Sequence, residues 1–216
     1  MNFTLLNKTI SITAKRNSGK SQLLRYLVSD AIEKNYFKKL FVICPTQSIN
    51  GFYTDLIDSK NMFSSYDDEW IEKLMENMGK VNKGKNNETA QHVLLILDDV
   101  CSDIALHQSP TFKQLMTKGR HYFISVIITC QYINHVPPSC RANCDFILTG
   151  QLNNSNIDIL TDEYMMGDID KKTFLEMYRR LTKDYGFLLI NNSSVKDDNL
   201  NSIYGQMKCP EEYIKN

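Results

Sequence analysis

The sequence predicts an α/β protein with a mostly parallel sheet and helices on both faces. Three observations point there. Apolar runs of strand length recur at residues 40–44, 92–97, 124–130 and 186–190. They are continuous rather than alternating, which is the pattern of strands buried on both faces of a parallel sheet. Stretches with apolar residues at helical spacing separate several of them. Near the N-terminus a loop of small and polar residues stands between a strand and a helix, an arrangement that binds phosphate.

In chain order, residues 9–13 read as the first strand, and the helix after the loop runs through roughly Lys34. Leu23, Leu24, Leu27, Val28, Ala31 and Ile32 fall at helical spacing and belong to the core. The run 40–44 ends at Pro45, and Pro45-Thr46-Gln47 opens a loop. Phe52, Tyr53, Leu56 and Ile57 suggest a short helix. Packing is the commoner use of such aromatics, and Tyr53 stands beside it as a candidate for nucleotide or DNA contact. Residues 66–78 form an amphipathic pattern, with Asp67, Asp68 and Glu69 suiting the dipole of the first turn. Residues 79–87 are polar and punctuated by glycine, the best candidate for a mobile loop. Lys80, Lys83 and Lys85 within it could touch a phosphate backbone or simply be solvated. Residues 112–118 predict a helix closed by Gly119. Further strands are expected at 144–148 and 186–190, and short helices at 158–164 and 171–182. The tail from Asn191 onward has no predicted packing.

The chemistry concentrates on two stretches. Ala14-Lys15-Arg16-Asn17-Ser18-Gly19-Lys20-Ser21 meets the pattern G-x-x-x-x-G-K-[ST] except at its first position, where Ala14 replaces glycine. That position ends a strand and mainly needs to be small. Backbone N–H groups and the helix dipole attract phosphates, Lys20 reaches the β- and γ-phosphates, and the Ser21 hydroxyl ligates Mg²⁺. The second stretch, residues 92–97 followed by Asp98-Asp99, reads as a buried strand delivering carboxylates to the carboxyl edge of the sheet. Asp98 would share the Mg²⁺ shell with Ser21, and Asp99 would orient the attacking water. Asp99 is shorter by one methylene, about 1.5 Å, than the glutamate more usual in such hydrolases. Gln131 ends the strand 124–130, where it either senses the γ-phosphate or only satisfies backbone groups.

The chain has 216 residues, 42% of them hydrophobic, enough for one sizeable α/β domain with a small appendage. Lys+Arg and Asp+Glu are 25 each, so the formal charge is zero. That argues against DNA binding by a free monomer but not by a ring that gathers basic groups. No apolar run approaches the roughly 20 residues of a membrane span, and the N-terminus lacks the layout of a signal peptide. Cys44, Cys101, Cys130, Cys140, Cys144 and Cys209 are scattered. His135, Cys140 and Cys144 fit no usual zinc spacing, so reduced thiols in an intracellular compartment are expected.

These landmarks, together with residues 119–131 and Pro137-Pro138-Ser139-Cys140-Arg141-Ala142-Asn143-Cys144-Asp145, resemble the genome-packaging ATPases of large nucleocytoplasmic DNA viruses and virophage-like elements. These enzymes belong to the FtsK–HerA superfamily of P-loop motors. The phosphate loop is generic, whereas the Arg-His-Tyr strand ending in Gln and followed by Pro-Pro and Arg-x-Asn is specific. The resemblance spans most of residues 10–148, and residues 185–190 resemble the closing strand of the family. It implies a RecA-like ATPase domain over 1–190, with 191–216 as a C-terminal tail. It also implies ATP and Mg²⁺ as ligands and a homo-oligomeric ring that drives double-stranded DNA into a preformed capsid, with capsid or portal-like vertex components as partners. The location implied is intracellular, in the host cytoplasm or the virion. An arginine supplied in trans to the neighbouring γ-phosphate is further implied, with Arg120 the first choice by motif position and Arg141 the second; either could instead form a structural ion pair. Two other classes stay open: a nucleotide-gated assembly protein with slow or no hydrolysis, and a small-molecule kinase.

Overall fold

The computed structural model describes residues 2–46, 51–193 and 199–214. The strands are β1 (Thr9–Thr13), β2 (Lys39–Ile43), β3 (Met62–Phe63), β4 (Val93–Asp98), β5 (Ile124–Cys130), β6 (Phe146–Thr149), β7 (Gly186–Asn191) and β8 (Tyr204–Lys208). They form one sheet in the order β3-β2-β4-β5-β1-β6-β7-β8. Every pairing from β3 to β6 is parallel, and β7 and β8 add two antiparallel strands at one end.

The helices are α1 (Lys20–Glu33), α2 (Asp68–Val81), α3 (Ile104–Gln108), α4 (Pro110–Lys118), α5 (Pro138–Arg141), α6 (Asn154–Tyr164), α7 (Lys171–Leu181), α8 (Leu200–Ile203) and α9 (Glu211–Ile214). Side chains alternate across a strand, and the two faces of the sheet accordingly feed two cores. Leu94 and Ile96 of β4 join Ile10, Ile12 and Ile127 beneath α1. Val93, Leu95 and Leu97 join Ile124, Val126 and Ile128 beneath α2, α4, α6 and α7. Both faces of the central strands are apolar because both are covered.

Several boundaries depart from the sequence expectation. Residues 52–57 are turns rather than a helix, because the carbonyl of Gly51 is taken by both the N–H and the hydroxyl of Thr54. Gly119 does not end α4 in a left-handed cap. Its φ is −50°, a 3-10 turn continues through Tyr122, and the positive φ falls on Phe123. The stretch 79–87 is not a free loop. Its first three residues complete α2, and Asn82 then exchanges two hydrogen bonds with Gln91, at 2.9 and 2.8 Å. His92 Nε2 and the Asn87 carbonyl close the other end at 2.8 Å. The tail is part of the sheet: β8 pairs with β7, and Tyr213 of α9 packs edge-on against Tyr26 of α1. Gln47 and residues 194–198 lie outside the described residues.

Candidate nucleotide site

The order β4-β5-β1 brings the two informative stretches to one edge. Thr13 is in register with Cys130, and Thr129 with Asp98, so the loop after β1, the acids ending β4 and Gln131 after β5 stand side by side. A cleft of about 510 Å³ opens there. It is lined by Lys15, Lys20, Ser21, Asp98, Asp99 and Gln131 among others. The sequence predicts all six of these residues.

The loop leaves β1 with Ala14 fully buried and its N–H on the Cys130 carbonyl at 3.3 Å. Lys15 N–H then donates to the Gln151 carbonyl at 2.8 Å. Asn17 and Gly19 adopt positive φ, 60° and 81°. The loop therefore turns sharply enough to present backbone N–H groups ahead of α1, whose first turn has no side-chain cap. Those uncapped N–H groups attract an anion. Ala14 does not have a positive φ, so a methyl group is compatible with its backbone. The room it needs is left by Gly150 on the neighbouring strand end: a Cβ built on Gly150 would stand 2.9 Å from the Ala14 methyl. The missing glycine of the motif is thus matched by a glycine across the strand pair.

Asp98 is held by three donors. Thr129 Oγ1 donates to Oδ1 at 2.5 Å, Tyr53 OH to Oδ2 at 2.8 Å, and Cys44 Sγ to Oδ2 at 3.6 Å. Tyr53 is fully buried, so it is not a surface for stacking on a base or on DNA, as the sequence had left open. Burial and the neighbouring carboxylate of Asp98 push its phenol well above its usual range. Asp99 adopts φ 57° and is fixed through its N–H to Thr129 Oγ1 at 3.1 Å. Its carboxylate faces the loop: Oδ1 lies 3.9 Å from Lys20 Nζ, and Oδ2 accepts from Gln131 Nε2 at 3.2 Å. Gln131 therefore serves a site carboxylate rather than the backbone.

The six cysteines are free and buried. Burial pushes the Cys130 thiol up to about 11, and it shares a hydrogen at 3.1 Å with Thr13 Oγ1. Such thiols are inert small hydrophobes. Among the described residues no three His, Cys, Asp or Glu side chains are grouped to hold a metal. Ser21 and Asp98 bring a different donor set to the cleft, one hydroxyl and one carboxylate.

The two arginines differ. Arg141 is buried, with 6% of its surface exposed; it forms a two-pronged ion pair with Glu163 and donates to the carbonyls of Ile133 and Val136. This is the structural ion pair the sequence offered as its alternative, and it engages four of the five guanidinium N–H donors inside the subunit. Arg120 is exposed, and among the described residues its guanidinium has no hydrogen bond or ion pair. It lies before β5, at the opposite edge of the sheet from the cleft. Lys80 lies in the last turn of α2, 3.7 Å from Glu76, and Lys83 and Lys85 are exposed on the turn before β4, also at that far edge.

Four residues of the site had no usable sequence signal. Thr129 reads as one more β-branched residue of a strand. Phe52, Tyr185 and Cys209 line the cleft from segments distant in the chain.

The sequence profile of the Poxvirus A32 protein family matches residues 4–208. Protein 075L of invertebrate iridescent virus 6 is 28% identical over 195 residues, 88% of this chain and 73% of that protein. The DNA packaging protein of vaccinia virus is 29% identical over 137 residues, 61% of this chain and 48% of its own length. This chain thus spans about half the length of the poxvirus relative. Among solved structures, the genome packaging NTPase of Sulfolobus turreted icosahedral virus 2 in complex with AMPPCP superposes with a TM-score of 0.62 at 13% identity, over 94% of this chain and 98% of that one. At that identity the likeness is one of fold.

Proposed function

The chain belongs to the Poxvirus A32 protein family, and on that premise we propose that it is a Mg²⁺-dependent ATPase whose turnover moves double-stranded viral DNA into a capsid. The observation that supports this best is the meeting of Lys20, Asp99 and Gln131 at the mouth of the uncapped α1, with Asp98 and Ser21 beside them. A fold alone would not supply that set. The vaccinia relative is a DNA packaging protein, and the Sulfolobus virus enzyme binds a non-hydrolysable ATP analogue.

In this reading residues 15–21 cradle the phosphates, with Lys20 stabilising charge on the transferred group. Ser21 and Asp98 hold Mg²⁺, which neutralises phosphate charge when bound. Asp99 orients the water and accepts its proton, and Gln131 fixes the carboxylate that does so. The working form is a homo-oligomeric ring, which gathers exposed lysines from each neutral subunit around the DNA. Capsid components are its partners, and the host cytoplasm and the virion its places of action. Among the described residues no helix is long and apolar enough to cross a membrane.

A second reading, a nucleotide-gated assembly protein with little turnover, draws on the short reach of Asp99 and its tie to Lys20 at 3.9 Å. ATP hydrolysis with and without double-stranded DNA separates the two. The motor predicts turnover that rises with DNA and is lost in Lys20→Ala. Asp99→Asn should bind nucleotide with near-normal affinity but turn over at least about 100-fold more slowly, the scale of a lost acid–base group. Binding without hydrolysis in the wild-type protein favours the gate, and normal turnover in Asp99→Asn removes the role given to Asp99.

A further inference from the structure

We propose that Tyr185 is the platform on which the purine base of the nucleotide stacks; this rests on the nucleotide reading of the cleft. The turn from α7 into β7 is closed by Gly186 N–H on the Lys183 carbonyl at 2.9 Å. Its two central residues, Asp184 and Tyr185, both have positive φ, 51° and 59°. A two-residue turn with both central residues left-handed is one that asparagine and glycine favour. A tyrosine in its second place is held against its backbone preference, and such outliers gather where a side chain must be presented.

What the turn presents is a ring laid against the phosphate loop. A Cβ built on Gly19 would stand 3.0 Å from the Tyr185 ring and 3.2 Å from its Cβ. The ring therefore covers the residue just before α1. It is nonetheless 47% exposed, the most open large apolar side chain among the described residues, and it lines the cleft with Phe52, Gln22 and Cys209. Among the described residues its hydroxyl has no hydrogen-bond partner. Folding thus spends an unfavourable backbone on an aromatic face that the core does not use.

The chemistry of that end of the cleft selects the ligand. Phosphates occupy Lys20 and Ser21, and the rest of a nucleotide extends past Gln22 towards Phe52 and Tyr185. Among the described residues, Gln22 brings an amide to the cleft beside the ring. Recognition there is by the π-face, which every base possesses, so adenine and guanine nucleotides are held alike.

The test compares wild type, Tyr185→Gly, Tyr185→Phe and Lys20→Ala by titration with AMPPCP, its guanine counterpart and inorganic tripolyphosphate. Glycine suits the turn, so Tyr185→Gly should unfold at no lower a temperature than wild type. Its Kd for both nucleotides should rise about tenfold or more, the range of a lost base-stacking partner. Its affinity for tripolyphosphate should not change, and Tyr185→Phe should match wild type throughout. Unchanged nucleotide affinity in Tyr185→Gly overturns the proposal, as does an equal loss for tripolyphosphate, which would make the ring a prop for the loop. If wild type binds neither nucleotide nor tripolyphosphate, the nucleotide reading itself falls. Lys20→Ala should lose all three ligands.

Discussion

Asp98 and Asp99 are neighbours in sequence with different company, and that difference sets what single substitutions should do. Asp98 is the inward residue, and its Oδ2 takes the Tyr53 hydroxyl at 2.8 Å. Removing that donor leaves the carboxylate in place on Thr129 but freer to rotate. Tyr53→Phe should therefore weaken binding of the Mg²⁺–nucleotide complex about tenfold or more, the scale of one hydrogen bond to a charged group. Binding measured in EDTA should be unaffected; calorimetry in both conditions checks it. His135 gives a pH prediction. Burial lowers its pKa below the ordinary 6.5, with smaller contributions from His107 and Lys20 in the same sense, while Asp99 opposes them. The folded state then binds fewer protons than the unfolded chain once pH drops below about 6.5, so stability is lost as pH falls through that window. His135→Asn should flatten the acid side of a melting-temperature profile between pH 5 and 7 and leave the value at pH 8 nearly unchanged. An equally steep acid side in the variant would assign the slope to other groups.

At the scale of elements, the loop depends on what packs beneath it. Ala14 and Gly150 divide one space: a methyl on the second would meet the first at 2.9 Å and the Phe187 ring at the same distance. Gly150→Ala should cost about 1–3 kcal/mol by overpacking and weaken nucleotide binding by displacing the start of the loop. Ala14→Gly added to it should restore part of both, since the methyl has only changed sides; denaturant titration and nucleotide affinity of the double variant check this. Much of this layer was legible beforehand. β1, β5 and α1 announce themselves because their periodicity and end residues are local properties, and the phosphate loop is read from eight consecutive positions. The Gly150 partnership, the Tyr53 bond and the Tyr185 contact are not local, and no spacing encodes them. The tail was opaque for another reason. β8 is an edge strand, Tyr-Gly-Gln-Met-Lys, in which Tyr204 is buried and the residues after it are partly or fully exposed. Its anchor is the Tyr204 hydroxyl, shared between the Tyr164 carbonyl at 2.8 Å and Met166 N–H at 2.6 Å. A polar composition left its packing unassigned, whereas backbone pairing to β7 decides the outcome.

For the whole molecule the unresolved matter is where the charge that completes the transition state originates. Within one subunit Arg16 of the loop lines the cleft itself, and two further arginines are engaged elsewhere. Arg141 is consumed by Glu163 and two carbonyls, and Arg25 by Asp55 and the Phe52 carbonyl. Arg120 is free but stands before β5, whose seven residues at about 3.3 Å each put it roughly 20 Å from the cleft at the other end. It cannot serve its own site. A second subunit docked with its amino edge over the first subunit's carboxyl edge would bring Arg120 to a neighbouring γ-phosphate, which ties hydrolysis to assembly. Arg120→Ala alone should then keep nucleotide affinity and lose turnover by about 10³-fold or more, the range of a trans arginine. Mixed with Asp99→Asn, which should be inactive but retains its arginine, it should regain turnover, because some interfaces then pair an intact cleft with an intact finger. Turnover that stays absent across all mixing ratios, with mixed oligomers verified by mass, would leave Arg120 to another role, such as contact with the DNA backbone beside Lys83 and Lys85.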